Sequence, residues 1–297
     1  MRRNSLPPLR TLPRNPAPTH HIHVPTLHYT TMTQVHPHPP TPLSTMSSNQ
    51  EINNARFSKE ALEWDSNKKH VESTQKTLEA IKSYVPAFKE GRNKDLDVLE
   101  IGCGTGLLSF MLAPHVRSLI GVDTASGMIS AFDTKLADLE TDRPNLCAVN
   151  HFLTNPDEHE LQSAAALLAT QRGEAASPPY AYRFDLIVSH LTLHHIPSMA
   201  AILETMSKCL KPGGVVALTD YEDFGSEAVP FHPVSKRPGV ERHGIKRAEM
   251  EELLLGTGFN EVRVEEAFVL RKEVDAENGK PAREMDFPFL MCFGVKS

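Results

Sequence analysis

The chain has 297 residues, of which 40% are hydrophobic and 23% are charged, and its formal net charge is −6. This length is enough for one globular domain of about 200 to 250 residues with appended segments. No apolar run approaches the roughly 18 residues of a membrane-spanning helix, so no span is predicted. The four cysteines form no CxxC pair and have no histidine at zinc-ligand spacing, so we assign no metal-binding residues and expect a reducing compartment.

The first 50 residues differ in composition from the rest of the chain. They contain four arginines, no acidic residue, ten prolines and six histidines. Proline at this density prevents a helix from propagating, so we expect a disordered tail over residues 1–52. We expect a cytoplasmic protein, although an arginine-bearing, acid-free start also fits a mitochondrial transit peptide. A translation start at Met32 or Met46 is the alternative explanation of this segment.

A helical cap is predicted to come before the main domain. The stretch "SKEALEWDSNKKHVESTQKTLEAIKSYV" places apolar residues at helical spacing and predicts one or two helices. We therefore expect one domain over residues 53–297, divided into a cap over 53–92 and a core over 93–297.

The main part of the chain is acidic: after residue 50 it carries 27 basic and 37 acidic residues. This acidic balance disfavours nucleic acid as a partner.

From Asp97 onward, short apolar runs alternate with helical patterns. The predicted strands cover residues 97–102, 118–123, 146–152, 184–190, 214–220, 261–270 and 287–296. The predicted helices cover residues 107–116, 126–140, 158–172, 199–210 and 246–259. Repeated strand–helix–strand units predict an α/β fold, with a Rossmann-like, doubly wound sheet of seven strands. The sheet is expected to be mostly parallel, with an antiparallel C-terminal edge.

The stretch "DVLEIGCGTGLLSF", residues 97–110, lies at the first strand-to-helix turn. Glycines at 102, 104 and 106 allow positive φ and let a ligand approach the backbone. Ligands of open α/β sheets bind at the carboxyl ends of the strands. The next strand ends in Asp123, whose carboxylate can accept two hydrogen bonds from a ribose diol. These residues predict a cofactor that contains a nucleoside.

The spacing of the glycines distinguishes between two such cofactors. A dinucleotide site has the pattern G-x-G-x-x-G, with a helix N-terminus facing a pyrophosphate. Here the third glycine comes one residue early, and Glu100 lies two residues before the first glycine. A carboxylate at this place repels a pyrophosphate but suits an amino group and a sulfonium. The sequence therefore favours S-adenosylmethionine (SAM) over a nicotinamide dinucleotide.

Four motifs resemble the class I SAM-dependent methyltransferases, and most of all the group that includes the quinone-biosynthesis methyltransferases. They are "VLEIGCGTG", "IGVDTASGM", "FDLIVSHLTLHHI" and "LKPGGVVALTDY". The resemblance covers roughly residues 57–297. It implies the fold and the cofactor, and it leaves the acceptor open.

The resemblance also implies which residues contact the cofactor. Those expected to hold its methionine part are Glu100, Gly102, Cys103, Gly104 and Gly106. Asp123 would bind the ribose, and Thr124 and Met128 would border the adenine. Thr154 is a further adenine contact, in a stretch that departs from the family pattern. Ser189 and His190 would line the pocket near the sulfonium. For Cys103, a packing role is the competing interpretation.

His195 is the residue to which we assign a catalytic role. A histidine that follows the fourth strand suits a general base, although it also suits a backbone hydrogen bond. The predicted reaction is transfer of a methyl group to an oxygen, nitrogen or carbon atom of a small molecule. A protein acceptor and a SAM-binding regulatory protein without catalysis are the alternatives. No "NPPY"-like tetrapeptide follows the fourth strand, which also disfavours nucleic acid.

Overall fold

The computed structural model describes residues 47–139, 145–174 and 181–297. The helices in these ranges are α1 (Ser48–Trp64), α2 (Lys68–Tyr84), α3 (Pro86–Lys89), α4 (Leu107–Leu112), α5 (Ser126–Ala137), α6 (His159–Gln171), α7 (Met199–Cys209) and α8 (Arg247–Gly256). The strands are β1 (Asp97–Ile101), β2 (Ser118–Asp123), β3 (Leu146–Asn150), β4 (Phe184–His190), β5 (Leu210–Tyr221), β6 (Phe259–Val274) and β7 (Arg283–Lys296). Across the described ranges, no helix is long and apolar enough to cross a bilayer.

The seven strands form one sheet in the order β3-β2-β1-β4-β5-β7-β6. Strands β1 to β5 pair in parallel, whereas β7 runs antiparallel to both β5 and β6. The predicted doubly wound sheet with an antiparallel C-terminal edge is therefore confirmed. The strand order reverses between β1 and β4, which is where ligands bind in folds of this type.

Helices cover both faces of the sheet and bury each face in a separate core. On one face α2, α4 and α5 contribute Ile81, Leu112 and Phe132 to the core. On the other face α6, α7 and α8 contribute apolar residues that include Leu203 and Met250. Because the central parallel strands are covered on both sides, their side chains are apolar in both directions.

Helix α1 begins earlier than the sequence indicated. It starts at Ser48, where the Ser47 hydroxyl accepts a hydrogen bond from the Gln50 amide and caps the helix. The predicted boundary between residues 52 and 53 therefore falls inside a helix. The pattern is misleading here because a polar residue, Asn53, is only 1% exposed and donates a hydrogen bond to the Gly239 carbonyl. Residues 1–46 of the predicted tail lie outside the described residues.

Several further elements differ in length from their predictions, and two of these differences have a clear physical reason. Helix α4 ends at Leu112 rather than at residue 116, because Pro114 lacks the amide needed to continue it. The β6–β7 hairpin is longer than predicted at the end where the turn joins its strands: β6 extends to Val274, which pairs with Arg283 of β7. Its buried extension packs against Phe231, which is distant in sequence, so local periodicity gave no sign of it.

Candidate active site

The glycine-rich turn after β1 has three glycines with different tasks. All three have positive φ: +72° at Gly102, +54° at Gly104 and +87° at Gly106. A Cβ on Gly102 would lie 2.3 Å from Thr192 Oγ1, and one on Gly106 would lie 2.5 Å from the Phe132 ring. Gly104 alone faces open space, since its nearest neighbour there is the Met128 sulfur at 3.9 Å. Gly104 therefore marks where a ligand can approach this backbone.

Asp123 holds the glycine-rich turn against the end of β2. Its Oδ2 accepts a hydrogen bond of 2.9 Å from the Gly104 amide, and its Oδ1 accepts one of 2.8 Å from the Ala125 amide. Burial raises the pKa of this carboxyl, while the backbone amides act in the opposite direction. The side chain thus lies beside the open space at Gly104, as the ribose assignment requires, and that assignment stays a prediction.

Glu100 lies on β1, below the turn, and only 2% of it is exposed. Its carboxylate accepts a hydrogen bond from the Ser109 hydroxyl. Burial, and to a lesser degree the nearby Asp123 carboxylate, raise the pKa of Glu100 to about 8. A buried carboxyl without a cationic partner in hydrogen-bonding contact favours its neutral form, and a ligand ammonium group would reverse this preference.

Helix α1 lies across the carboxyl ends of the strands and covers this turn. The Thr124 hydroxyl donates to Asn54 at 2.7 Å and accepts from Gln50 at 2.9 Å. At the other end of α1, Asp65 accepts a hydrogen bond from the Thr105 hydroxyl. Met128 is 2% exposed and packs in a small apolar cluster that joins α1 to α5. Two of the three predicted adenine neighbours, Thr124 and Met128, therefore lie under the helical cap.

Three other predicted residues have structural partners in the folded chain. Cys103 is buried in the core against Gly121, and burial raises the pKa of its thiol. Ser189 donates a hydrogen bond of 2.8 Å to the Ile101 carbonyl and so ties β4 to β1. The exposed Thr154 hydroxyl donates to Glu158, next to the start of α6. Their assignment to the cofactor stays a prediction.

His190 lies on the side of the sheet that faces α2. Its Nδ1 lies 3.0 Å from Thr77 Oγ1 and 2.9 Å from Thr219 Oγ1, and its Nε2 lies 3.2 Å from Ser73 Oγ. Burial lowers the pKa of His190 to about 3, so its imidazole is neutral near pH 7. Both ring nitrogens therefore have hydroxyl partners, and a role near the sulfonium stays a prediction.

His195 lies on a short 3-10 turn, Leu193–His195, that follows β4. It is 8% exposed, and the Phe57 ring of α1 packs edge-on against it with centroids 5.2 Å apart. Burial lowers the pKa of His195 well below its ordinary value, as do nearby cationic groups. The imidazole is thus neutral at physiological pH and lies under α1 at the carboxyl ends of the strands.

The structure adds residues that sequence reasoning missed. Thr192 packs over Gly102, and Phe57 covers His195. Asp220, at the end of β5, is fully buried, and its carboxylate accepts a hydrogen bond from the His194 ring. His232 joins this group from a segment 12 residues past Asp220. The sequence could have identified Asp220 as a site residue, because it lies at the end of a predicted strand. Nothing in the sequence marked His232 or Phe57 in this way.

Comparison with known proteins agrees with this arrangement. Residues 70–264, well over half of the chain, match a family model described as a methyltransferase domain. The chain belongs to this methyltransferase family. S-adenosylmethionine is accordingly the cofactor of the methyltransferase, as the glycine spacing and the four motifs predicted.

Two relatives and one solved structure illustrate the similarity. An uncharacterized methyltransferase of Schizosaccharomyces pombe is 24% identical over 226 residues, which are 69% of this chain and 74% of the relative. The ubiquinone biosynthesis O-methyltransferase of Psychrobacter cryohalolentis is 31% identical over 122 residues, 41% of this chain and 39% of the relative. The magnesium protoporphyrin IX methyltransferase of Synechocystis, with bound S-adenosylhomocysteine (SAH), has a TM-score of 0.54 at 15% identity, covering 84% of this chain and 100% of that one. At this identity, the structural likeness shows the fold.

The residues of the methyltransferase fit its cofactor. Gly104 leaves open the volume that a Cβ would fill, and the Asp123 carboxylate lies beside it. Glu100 supplies a buried carboxyl that gains a partner when an ammonium group approaches. These three residues would hold the cofactor, which supplies a methyl group already activated on a sulfonium.

Glu100 should make cofactor affinity depend on pH. Because its pKa is about 8 in the ligand-free protein, this carboxyl carries a proton at neutral pH. Binding of a ligand ammonium group favours the carboxylate, so binding releases that proton below pH 8. We therefore expect the affinity for SAH to rise with pH and to fall by up to ~10-fold for each pH unit below 8. Calorimetry between pH 6 and 8, in two buffers of different protonation enthalpy, measures the released proton.

The Glu100→Gln variant is the control for this measurement, because the amide keeps the shape of the side chain and does not titrate. Its SAH affinity should be weaker at pH 8 and should lose the proton release. Proton release that persists undiminished in Glu100→Gln would assign the ionisation to another group.

Two truncations test whether α1 contributes to cofactor binding. Deletion of residues 1–46 should leave SAH affinity within ~2-fold, because that segment has little periodic apolar surface to offset the entropy of ordering it. Deletion of residues 1–54 also removes the helix cap and the hydrogen bonds of Gln50 and Asn54 to Thr124. At about 0.5–1.5 kcal/mol for each bond, the affinity should fall by roughly 10-fold. Equal SAH affinity in both truncated proteins would show that the first two turns of α1 have no part in the site.

Proposed function

We propose that the methyltransferase transfers the methyl group to a small-molecule acceptor whose acceptor atom lies beside His195. The observation that carries this proposal is the state of the His195 ring. Its Nδ1 is buried without a hydrogen-bond partner, while the nearby Gly239 carbonyl favours a proton on the other ring nitrogen. A neutral imidazole with one nitrogen protonated in this way presents a lone pair on the other. That lone pair can accept the proton of an acceptor hydroxyl.

The cover over the site supports a small acceptor. On one side α1 brings Phe57 against His195, and Asn53 of the same helix binds the Gly239 carbonyl. The backbone amides of Glu241 and Arg242 donate to the His194 carbonyl, so this neighbouring segment packs on the same turn. An enclosed site suits a small molecule, because enclosure aligns the reactants and excludes water.

An oxygen acceptor is the form of this proposal that we favour. Methyl transfer to a hydroxyl requires removal of its proton, and His195 offers a neutral nitrogen for that purpose. The bacterial relative described above is named as an O-methyltransferase of ubiquinone biosynthesis. This agreement supports a hydroxyl-bearing acceptor without specifying the molecule.

The proposal is tested with methyl-labelled SAM. The full chain is incubated with a small-molecule extract and, separately, with extracted protein. Label that enters a small-molecule product with the wild-type chain supports the proposal. Label that enters protein alone would point to a protein methyltransferase. No label in either fraction, with SAH binding retained, would point to a regulatory protein.

We also propose that the protein works in the cytoplasm. The cysteines Cys103, Cys147, Cys209 and Cys292 are all free thiols, and three of them are buried. Unpaired cysteines are usual where the surroundings are reducing. A fluorescent fusion of the full chain that co-localises with mitochondria would overturn this assignment.

A further inference from the structure

Three histidines meet at the carboxyl ends of β4 and β5. His194 and His195 come from the turn after β4, and His232 comes from the segment after β5. Each offers one ring nitrogen, and these three atoms lie within 4.8 Å of one another. His194 is 2% exposed, so the group is largely removed from water. We call these three residues the histidine cluster.

Two nitrogens of the histidine cluster are buried without a hydrogen-bond partner: His194 Nε2 and His195 Nδ1. A buried polar atom that lacks a partner costs about 1–3 kcal/mol. Two such atoms on adjacent residues, both beside a third imidazole, indicate that a ligand supplies the interactions that these nitrogens lack in the protein. Simple packing of the rings would leave this cost without compensation.

The opposite nitrogens are held in the state that metal ligands require. His194 Nδ1 lies 2.8 Å from the buried Asp220 carboxylate, so in the neutral form of the ring Nδ1 carries the proton and Nε2 presents a lone pair. The Tyr221 hydroxyl lies 3.3 Å from His232 Nδ1, which leaves the other nitrogen of that ring available. A carboxylate or another oxygen on the far nitrogen is the usual way in which proteins orient a metal-ligating histidine.

We propose that the histidine cluster binds one divalent transition-metal ion such as zinc, through His194 Nε2, His195 Nδ1 and a ring nitrogen of His232. Three imidazoles and an open fourth position are typical of catalytic zinc sites. Metal–nitrogen distances of about 2.0–2.1 Å place such nitrogens roughly 3.4 Å apart. The ring nitrogens that lie within 4.8 Å of one another must therefore approach by up to about 1.4 Å to complete the site.

The charged groups around the histidine cluster indicate the chemistry of the fourth ligand. Asp220 supplies a carboxylate, whereas Arg56 and Lys272 supply cations that face His232. Because these cations lie close enough to His232 to lower its pKa, an anionic oxygen is the ligand that best balances the charge. When the metal occupies the His195 Nδ1 lone pair, an acceptor hydroxyl provides this ligand: its O–H bond breaks, its proton passes to water instead of to His195, and its oxygen binds the metal. This last consequence rests on the proposed function, whereas metal binding does not.

Cobalt(II) is the probe for this proposal, because its visible spectrum distinguishes a low-coordinate nitrogen site from weak six-coordinate binding. The full chain is stripped with a chelator and then titrated with cobalt and, in competition, with zinc. We expect one equivalent of cobalt with the intense bands of a low-coordinate site, displaced by one equivalent of zinc. The His232→Ala variant should lose these bands and at least ~100-fold in zinc affinity. SAH affinity, measured on the same samples, should stay unchanged.

The matched control is His243→Ala, which removes a neighbouring histidine outside the cluster. It should keep the cobalt bands. The six histidines of residues 1–50 are present in every variant, so any metal that they bind contributes equally to the signal of the wild type and of each variant. Absence of the bands in the wild-type chain, or their persistence in His232→Ala, would overturn the metal site. Because SAH binding and methyl transfer are measured separately, this failure is distinct from a failure of the proposed function. His232→Gln serves as a second variant if the alanine variant does not fold.

Discussion

Replacement of Gly104 by valine is expected to reduce SAH affinity by at least ~100-fold, which is about 2.7 kcal/mol, while the domain still folds. Gly104 is the one glycine of the turn whose Cβ position faces open space, with Met128 Sδ at 3.9 Å. A branched side chain would occupy the volume that the cofactor needs. Its φ of +54° adds strain of about 1–2 kcal/mol, which the domain can tolerate. Calorimetry with SAH and thermal unfolding of the same sample measure the two effects.

Gly91→Val is the matched control for this variant. Gly91 has a φ of +70° and has no atom within 4 Å of a Cβ, so valine there brings the same kind of backbone strain without entering the turn. The two variants should lose similar stability, and only Gly104→Val should lose the ligand. Normal SAH binding by Gly104→Val would mean that the cofactor does not approach this backbone.

Replacement of His195 by alanine is expected to lower turnover by roughly 10²-fold or more, once an acceptor is known. The variant removes His195 Nδ1, the buried nitrogen without a partner to which we assign the acceptor's proton. SAH affinity should be largely preserved, because the residues expected to hold the cofactor lie on β1, β2 and the turn between them. Steady-state kinetics corrected for the folded fraction, together with calorimetry, separate the two effects. Normal turnover per folded molecule would remove His195 from the catalytic residues.

The pH profile of the wild-type enzyme adds a second readout for His195. Burial lowers its pKa well below 6.5, so the folded protein holds the neutral imidazole throughout the physiological range. We therefore expect no loss of rate from His195 as the pH falls from 8 to 6.5. The loss should come only at more acidic pH, when the ring takes up a proton. If a chelator leaves turnover unchanged while His195→Ala abolishes it, His195 accepts the proton without help from a bound metal ion.

Much of the fold could be predicted because it depends on local patterns. The strands β2 and β4 begin and end where the apolar runs placed them, at Ser118–Asp123 and Phe184–His190. Central parallel strands are buried on both faces, so their composition differs clearly from that of the helices between them. The start of α1 and the length of the β6–β7 hairpin could not be read in this way. Each depends on a distant partner, Gly239 for Asn53 and Phe231 for the hairpin.

The repeated strand–helix units determined the fold class from the sequence by itself. The glycine spacing and the acids at Glu100 and Asp123 determined the cofactor, because a turn that approaches a ligand needs bare backbone at fixed positions. Only the tertiary structure showed that the three glycines of the turn have different roles. Gly104 faces open space, whereas Gly102 and Gly106 make room for the side chains of Thr192 and Phe132. The tertiary structure also brought His232 to His194 and His195, through a segment with no pattern of its own. Residue spacing encodes local backbone conformation, whereas contacts between distant segments exist only after the chain has packed.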